Sequence, residues 1–491
     1  MTTRTGDRQL SVGVALLPIL TMLVLFVAGI SFFELTPELL ILVLLCSATV
    51  AGIIAARHGA TWDDIQRSTG EKIAGVLPAL LILLVIGMLI ATWVASGTIP
   101  FLVYWGVRLV EPRYLVLTAF LATAVMSSFT GTSWGSAGTI GVALMGTAAA
   151  LEAPLPIVAG AILSGAYFGD KMSPLSDTTI IASMAVNVDL YKHIRHLLYT
   201  AVPSFVLSIV VYTVAMQSVT TGSDVLPENA TTLLRDLDTA YSLGWAAVLP
   251  PIVVVFCILR KVPAAIAILL SSVTAIIVAV VVQDFSMQHA LTAAVSGFRL
   301  SMLDSAGVDA AGMSEGFRTL VERGGLYSMA NTLVLVITAF VLAAGMDVSG
   351  SLNLLIERIL GLVRSVLGLI AATMTAGATL IALTSHGGVS TLIIGALFKN
   401  AYRERNLAPQ NLSRTLEDSI TLTEPLMPWT VSAVFMATTL GVPTIQYAPW
   451  AVFLYGGPFF SLLIAWLYKR TGFGLLKESG SVDGVEVSVH R

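Results

Sequence analysis

Between residues 169 and 179 the chain reads Gly169-Asp170-Lys171-Met172-Ser173-Pro174-Leu175-Ser176-Asp177-Thr178-Thr179, with short apolar runs on either side. Carboxyls, an ammonium and hydroxyls gathered in apolar surroundings are the materials of a cation site, because hard cations such as Na⁺ prefer oxygen ligands. Dehydration favours the protonated form of a carboxyl and a nearby cation favours the ionised form, so one such site can hold either a proton or a metal ion. Asp170 and Asp177 would share a helical face, but Pro174 argues against a continuous helix. The spacing predicts a hairpin that turns back within the membrane, with Ser173, Ser176 and Thr178 around the acids and Lys171 as a charge partner. A solvated Asp170–Lys171 pair in a surface loop is the plainer alternative.

A second stretch repeats the recipe. Residues 412–429 carry Arg414, Glu417, Asp418, Thr421, Thr423 and Glu424 before Pro425-Leu426. Arg414 could pair with Glu417 or Asp418, leaving the remaining acids as ligands. Two further polar segments interrupt apolar runs. Ser127 to Gly138 includes Thr130, Thr132, Ser133, Trp134 and Ser136, and Thr384-Ser385-His386 echoes it in the second half. A break in a membrane helix would expose half-helix ends and free carbonyls there, as in midplane ion sites. A small-xxx-small helix contact through Gly131 and Gly135 is the competing reading. His386 titrates near neutral pH when unperturbed and could relay protons, or it could be a neutral packing residue.

The elements that must hold these groups are membrane helices. With 26 Lys+Arg and 29 Asp+Glu in 491 residues, charged side chains reach only 11%, against about 25% in soluble domains. Apolar residues make up 56% and mean hydropathy is +0.88, so most of the surface faces lipid. A net charge of -3 excludes the basic face that nucleic-acid binding needs. Stretches free of ionisable residues at 12–33, 39–56, 197–223, 239–259, 262–283 and 325–346 each match one span. Longer stretches at 73–107, 114–151, 365–385 and 425–468 carry Gly, Pro, Ser and Thr that suggest interruptions. These runs predict ten to fourteen crossings. Cys46 and Cys257 lie in separate spans and offer neither a disulfide nor a metal pair.

The chain also echoes itself. Residues 131–135 resemble 383–387, and Pro174-Leu175, Ser96-Gly97 and Tyr199…Pro203 recur at nearly the same offset. Two repeats follow, 12–217 and 243–470, separated by an acidic external linker at 218–242 and followed by a tail at 471–491. An odd number of crossings in each repeat would invert the second. Basic residues such as Arg57, Arg67, Lys72, Arg260, Lys261, Lys469 and Arg470 flank loops that positive-inside logic assigns to the cytoplasm, with both termini.

The segments 169–179, 131–135 and 412–419 resemble the NhaC family of sodium/proton antiporters, and the likeness runs from about residue 12 to 470. It implies an all-α polytopic membrane protein of two inverted repeats with broken helices and re-entrant hairpins at the midplane. It further implies coupled exchange of Na⁺ and H⁺ by alternating access, with these ions as cargo and no cofactor. The expected setting is a bacterial inner membrane and a homodimer. The family tends to have Gly-Asp where this chain has Ser385-His386-Gly387, Pro-Trp-Asn where it has Pro428-Trp429-Thr430, and a small polar residue at the place of Glu424. Some relatives exchange organic acids or carry amino acids, so a Na⁺- or H⁺-coupled exchanger of a small organic solute is the second reading. A channel would favour a continuous pore over two pseudo-symmetric halves. A membrane aspartyl protease would need its Pro-Ala-Leu after the Gly-Asp, whereas Pro78-Ala79-Leu80 precedes it.

Overall fold

The computed structural model describes residues 10–33, 36–219, 228–304, 306–310, 312–361 and 363–478. Among them the secondary structure is helical, apart from one isolated antiparallel bridge between Leu407 and Lys477. Lipid offers no substitute partner for a backbone N–H or C=O, so apolar segments close their hydrogen bonds internally. Local signals set the ends. Ser11 caps Val12–Phe32 by accepting the Val14 N–H, and Thr36 followed by Pro37 opens Pro37–Arg57. Thr61 and Asp64 form a reciprocal capping box that starts the 34-residue helix Trp62–Ala95.

Among the described residues nine helices are long and apolar enough to cross a membrane, or ten if the bent pair Glu228–Ala240 and Trp245–Leu259, angled at 101°, counts as one span. The total falls at or below the low end of the expected range because the long runs at 114–151 and 425–468 are interrupted rather than doubled. Leu115–Thr130 stops at Gly131, and Val431–Leu440 has only 10 residues. Ten residues rise about 15 Å, half of a hydrocarbon core.

Part of the acidic stretch expected as a linker forms a helix. Asp224 lies outside the described residues, but Glu228–Ala240 is a helix that buries Ala230, Leu233 and Leu237, while Asp236 accepts the Ser314 N–H at 2.9 Å. Asp347 receives Lys72 at 2.9 Å, tying Trp62–Ala95 to Ala330–Val348. The expected tail divides in the same way. Residues 473–478 pack back on the protein, and 479–491 lie outside the described residues.

Two helix interruptions match closely. Leu115–Thr130 ends in Gly131 at φ +68° and the chain restarts at Ser133 with Thr132 as N-cap. Val366–Thr384 ends in Ser385 at φ +54° and restarts at Gly387 with His386 as N-cap. Thr130 bonds Ser136 at 3.2 Å, and Thr384 bonds Ser390 at 2.7 Å. The structural register therefore pairs Gly131 with Ser385 and Thr132 with His386, two residues away from the register of the sequence echo. Backbone function is what repeats here, with different side chains performing it.

Candidate ion-binding site

Close helix packing brings the first polar cluster into the protein. On Leu155–Met172, Gly169 faces the backbone of Leu115–Thr130 so tightly that a methyl group there would lie 2.5 Å from the Ala124 carbonyl oxygen. Two glycines one turn apart, Gly165 and Gly169, form the small-residue seam. Asp170 and Lys171 follow in the last turn, 3% and 0% exposed. The surface-loop alternative is thereby excluded. After them the chain turns through Ser173, whose hydroxyl accepts the Leu175 N–H, and Ser176, which caps Asp177–Val186. Gly131 packs against Leu175, where any Cβ would come within 2.7 Å of the leucine Cβ. The first interruption and the hairpin are thus one packed unit.

The second cluster meets the first across the molecule. Glu417–Thr421 is a single π turn, a rare geometry that recurs at functional sites. Lys171 forms a fully buried ion pair with Asp418, and Thr200 donates to the same carboxylate oxygen at 3.1 Å. Arg414, expected to pair with Glu417 or Asp418, stands 4.0 Å from the other Asp418 oxygen and donates to the Gly474 carbonyl at 2.7 Å. Glu417 is buried with neither carboxylate oxygen hydrogen-bonded, and Asp170 Oδ1 is likewise without a partner. Asp177 is the most accessible acid and lies within electrostatic reach of Asp170, Glu417 and Glu424. The hydroxyls of Ser133 and Ser176 face Asp170, and that of Thr421 faces Glu417.

Several hydroxyls expected as ligands instead bond the backbone or one another. Thr132 caps the restarted helix through Gly135, Thr178 bonds Ser176, and Thr423 donates to the Ser419 carbonyl. Ser385 differs: its hydroxyl is fully buried without a partner on a left-handed backbone. His386 accepts the Val389 N–H at Nδ1, so that nitrogen carries no proton while it caps the helix.

With this geometry in place, the chain can be compared with known proteins. The model of the Na⁺/H⁺ antiporter family matches residues 165–468, which contain both acidic clusters. The chain belongs to the Na⁺/H⁺ antiporter family. A Haemophilus influenzae protein described as an uncharacterized Na⁺/H⁺ antiporter is 43% identical over 94% of this chain and 96% of its own length. The Na⁺/H⁺ antiporter NhaC of Alkalihalophilus pseudofirmus is 35% identical over 96% of this chain and 98% of its own. A malate-2H⁺/Na⁺-lactate antiporter of Bacillus subtilis is 31% identical over 93% and 95%. The relatives are transporters rather than enzymes, and this family member is a multi-pass membrane protein.

Other polar residues of this antiporter-family chain escaped the sequence reading. His193, His196, Thr200, Ser204, Ser208 and Tyr212 make a stripe three or four residues apart along Leu190–Val219. That spacing marks one helix face and was available from sequence. His193 bonds Ser413 at 2.8 Å and His196 bonds Asn411 at 3.1 Å, so the stripe faces the second acidic cluster. Tyr167, one turn before Asp170, shares a hydrogen bond with Ser432, which also receives Trp134 Nε1 at 3.3 Å. Trp134 stacks on Phe435 with centroids 4.4 Å apart.

Proposed function

We propose that this protein exchanges Na⁺ for H⁺ by alternating access, with Asp170, Asp177 and Glu417 as the acids that hold either cation. The observation that carries the reading is the pair of buried acids, Asp170 with Oδ1 unpartnered and Glu417 with both oxygens unpartnered, while hydroxyls of Ser133 and Ser176 face Asp170. A carboxyl with free lone pairs away from water gains most by binding a proton or a metal ion. Asp177, the accessible acid, is the entry ligand, and Ser385 is a further oxygen donor. Asp418, with Lys171 and Arg414 on its two oxygens, supplies a fixed cluster of charge behind them. In this scheme residues 12–217 and 243–470 are inverted repeats with both termini cytoplasmic in a bacterial inner membrane, and two copies form a dimer.

Proteoliposomes carrying an internal pH dye test the reading. External Na⁺ or Li⁺ should drive protons out of the wild type, and Asp170→Asn or Asp177→Asn should lose at least about tenfold of that rate, equivalent to ~1.4 kcal/mol or more. Absence of any cation-dependent proton flux in the wild type at neutral and alkaline pH would refute it. A coupled organic-acid exchanger is the second reading, favoured by the stacked Trp134–Phe435 pair beside the site and by the lactate-exchanging relative. Na⁺-dependent uptake of labelled lactate or malate would select it.

A further inference from the structure

Glu424 occupies a place built for an anion. The backbone N–H groups of Gly387, the first residue of Gly387–Arg403, and of Ser432, the second of Val431–Leu440, both face its carboxylate. The approach is close: a methyl group on Gly387 would lie 2.7 Å from Oε2. Thr430, the N-cap of the second helix, donates to the Glu424 carbonyl at 2.5 Å and accepts the Ala433 N–H, which fixes the residue's backbone beside that helix end. Among the described residues no Lys or Arg pairs with this side chain. Helix N-termini present unpaired N–H groups and about half a positive charge each. Two such ends, from helices of 17 and 10 residues, converge on one carboxylate.

We infer that Glu424 is a tethered anion which fills a carboxylate receptor within the transport site, thereby excluding small organic anions and restricting the cargo to cations. The inference rests on the exchange reading above and makes Glu424 the residue that decides between cation and organic-anion exchange. Its side chain ends in the same group that a free carboxylic acid would bring. Glu424→Ala removes a fragment the size of acetate, and it leaves both helix ends in place. Glu424→Gln keeps the seat occupied while removing the charge.

The experiment compares wild type, Glu424→Ala and Glu424→Gln in sodium acetate, sodium chloride and sodium chloride with acetamide, a neutral mimic of acetate. Thermal unfolding in detergent reads binding, and exchange of radiolabelled sodium in proteoliposomes reads transport without interference from acetate's effect on pH gradients. The expected result is that acetate alone raises the unfolding midpoint of Glu424→Ala and restores several-fold of its lost sodium exchange. Wild type and Glu424→Gln should not respond. If Glu424→Ala is recovered folded only in acetate, that supports the inference equally, and failure of recovery in every salt counts against it. Equal responses of all three proteins, or none in Glu424→Ala, would overturn it. Wild type without sodium exchange would refute the exchange reading alone, since the unfolding measurement still reports whether the receptor exists.

Discussion

At the scale of single residues, the Lys171–Asp418 pair carries the largest electrostatic stake. Both side chains are fully buried, and Thr200 supplies an additional hydrogen bond. Removing one member of such a pair strands a charge and typically costs about 3–5 kcal/mol, whereas replacing both by apolar groups can be nearly neutral. Lys171→Met should therefore lower the thermal midpoint, and Asp418→Leu, which strands both Lys171 and the neighbouring Arg414, should lower it further in the same unfolding measurement. An Asp418→Leu variant more stable than Lys171→Met would show that Asp418 does not balance two cations. Lys171 and Asp418 were each visible in the sequence as ionisable residues in apolar surroundings. Their partnership was not, because a contact spanning 247 positions leaves no local pattern.

Helices and their ends set where those residues stand. Gly169 lets Leu155–Met172 lie on the backbone of Leu115–Thr130, and Asp170 is the next residue. Gly169→Ala should force the helices apart at a cost of about 1–3 kcal/mol. It should also reduce cation exchange more than its stability loss explains, because the displaced element carries the acid; exchange rate normalised to folded protein checks this. Apolar spans and the positions of both interruptions were legible, since runs free of charge and clusters of small hydroxyl residues are local signals. The two interruptions are offset by 254 residues in the backbone and by 252 in the sequence echo. Identical letters aligned Gly131-Thr-Ser-Trp-Gly with Leu383-Thr-Ser-His-Gly, whereas the backbone pairs Gly131 with Ser385 in the left-handed region. Serine there costs roughly 1–2 kcal/mol, and histidine is an uncommon N-cap, so neither announces its role by type.

On the scale of the whole molecule, segments far apart in the chain interlock. Trp134 and Tyr167 reach Ser432, the polar stripe of Leu190–Val219 reaches Ser413 and Asn411, and Phe473 to Glu478 folds back onto the start of Pro409–Leu416. Within that return, Asn411 donates to the Leu476 carbonyl at 2.7 Å and accepts the Leu476 N–H at 3.0 Å. A chain stopped before Phe473 should lose folded yield in size-exclusion chromatography of detergent extracts, even though every candidate acid is present. Normal yield would show these contacts to be dispensable. The fully buried Arg414 guanidinium donates its close hydrogen bond to the carbonyl of Gly474, which the ribosome adds sixty residues later. During synthesis Arg414 therefore has Asp418 beside it from the start but lacks its close hydrogen-bond acceptor until that carbonyl emerges. A chain that ended before that point would hold a buried guanidinium without its close acceptor, so a single side chain in the second acidic cluster registers whether the C-terminal return has been made.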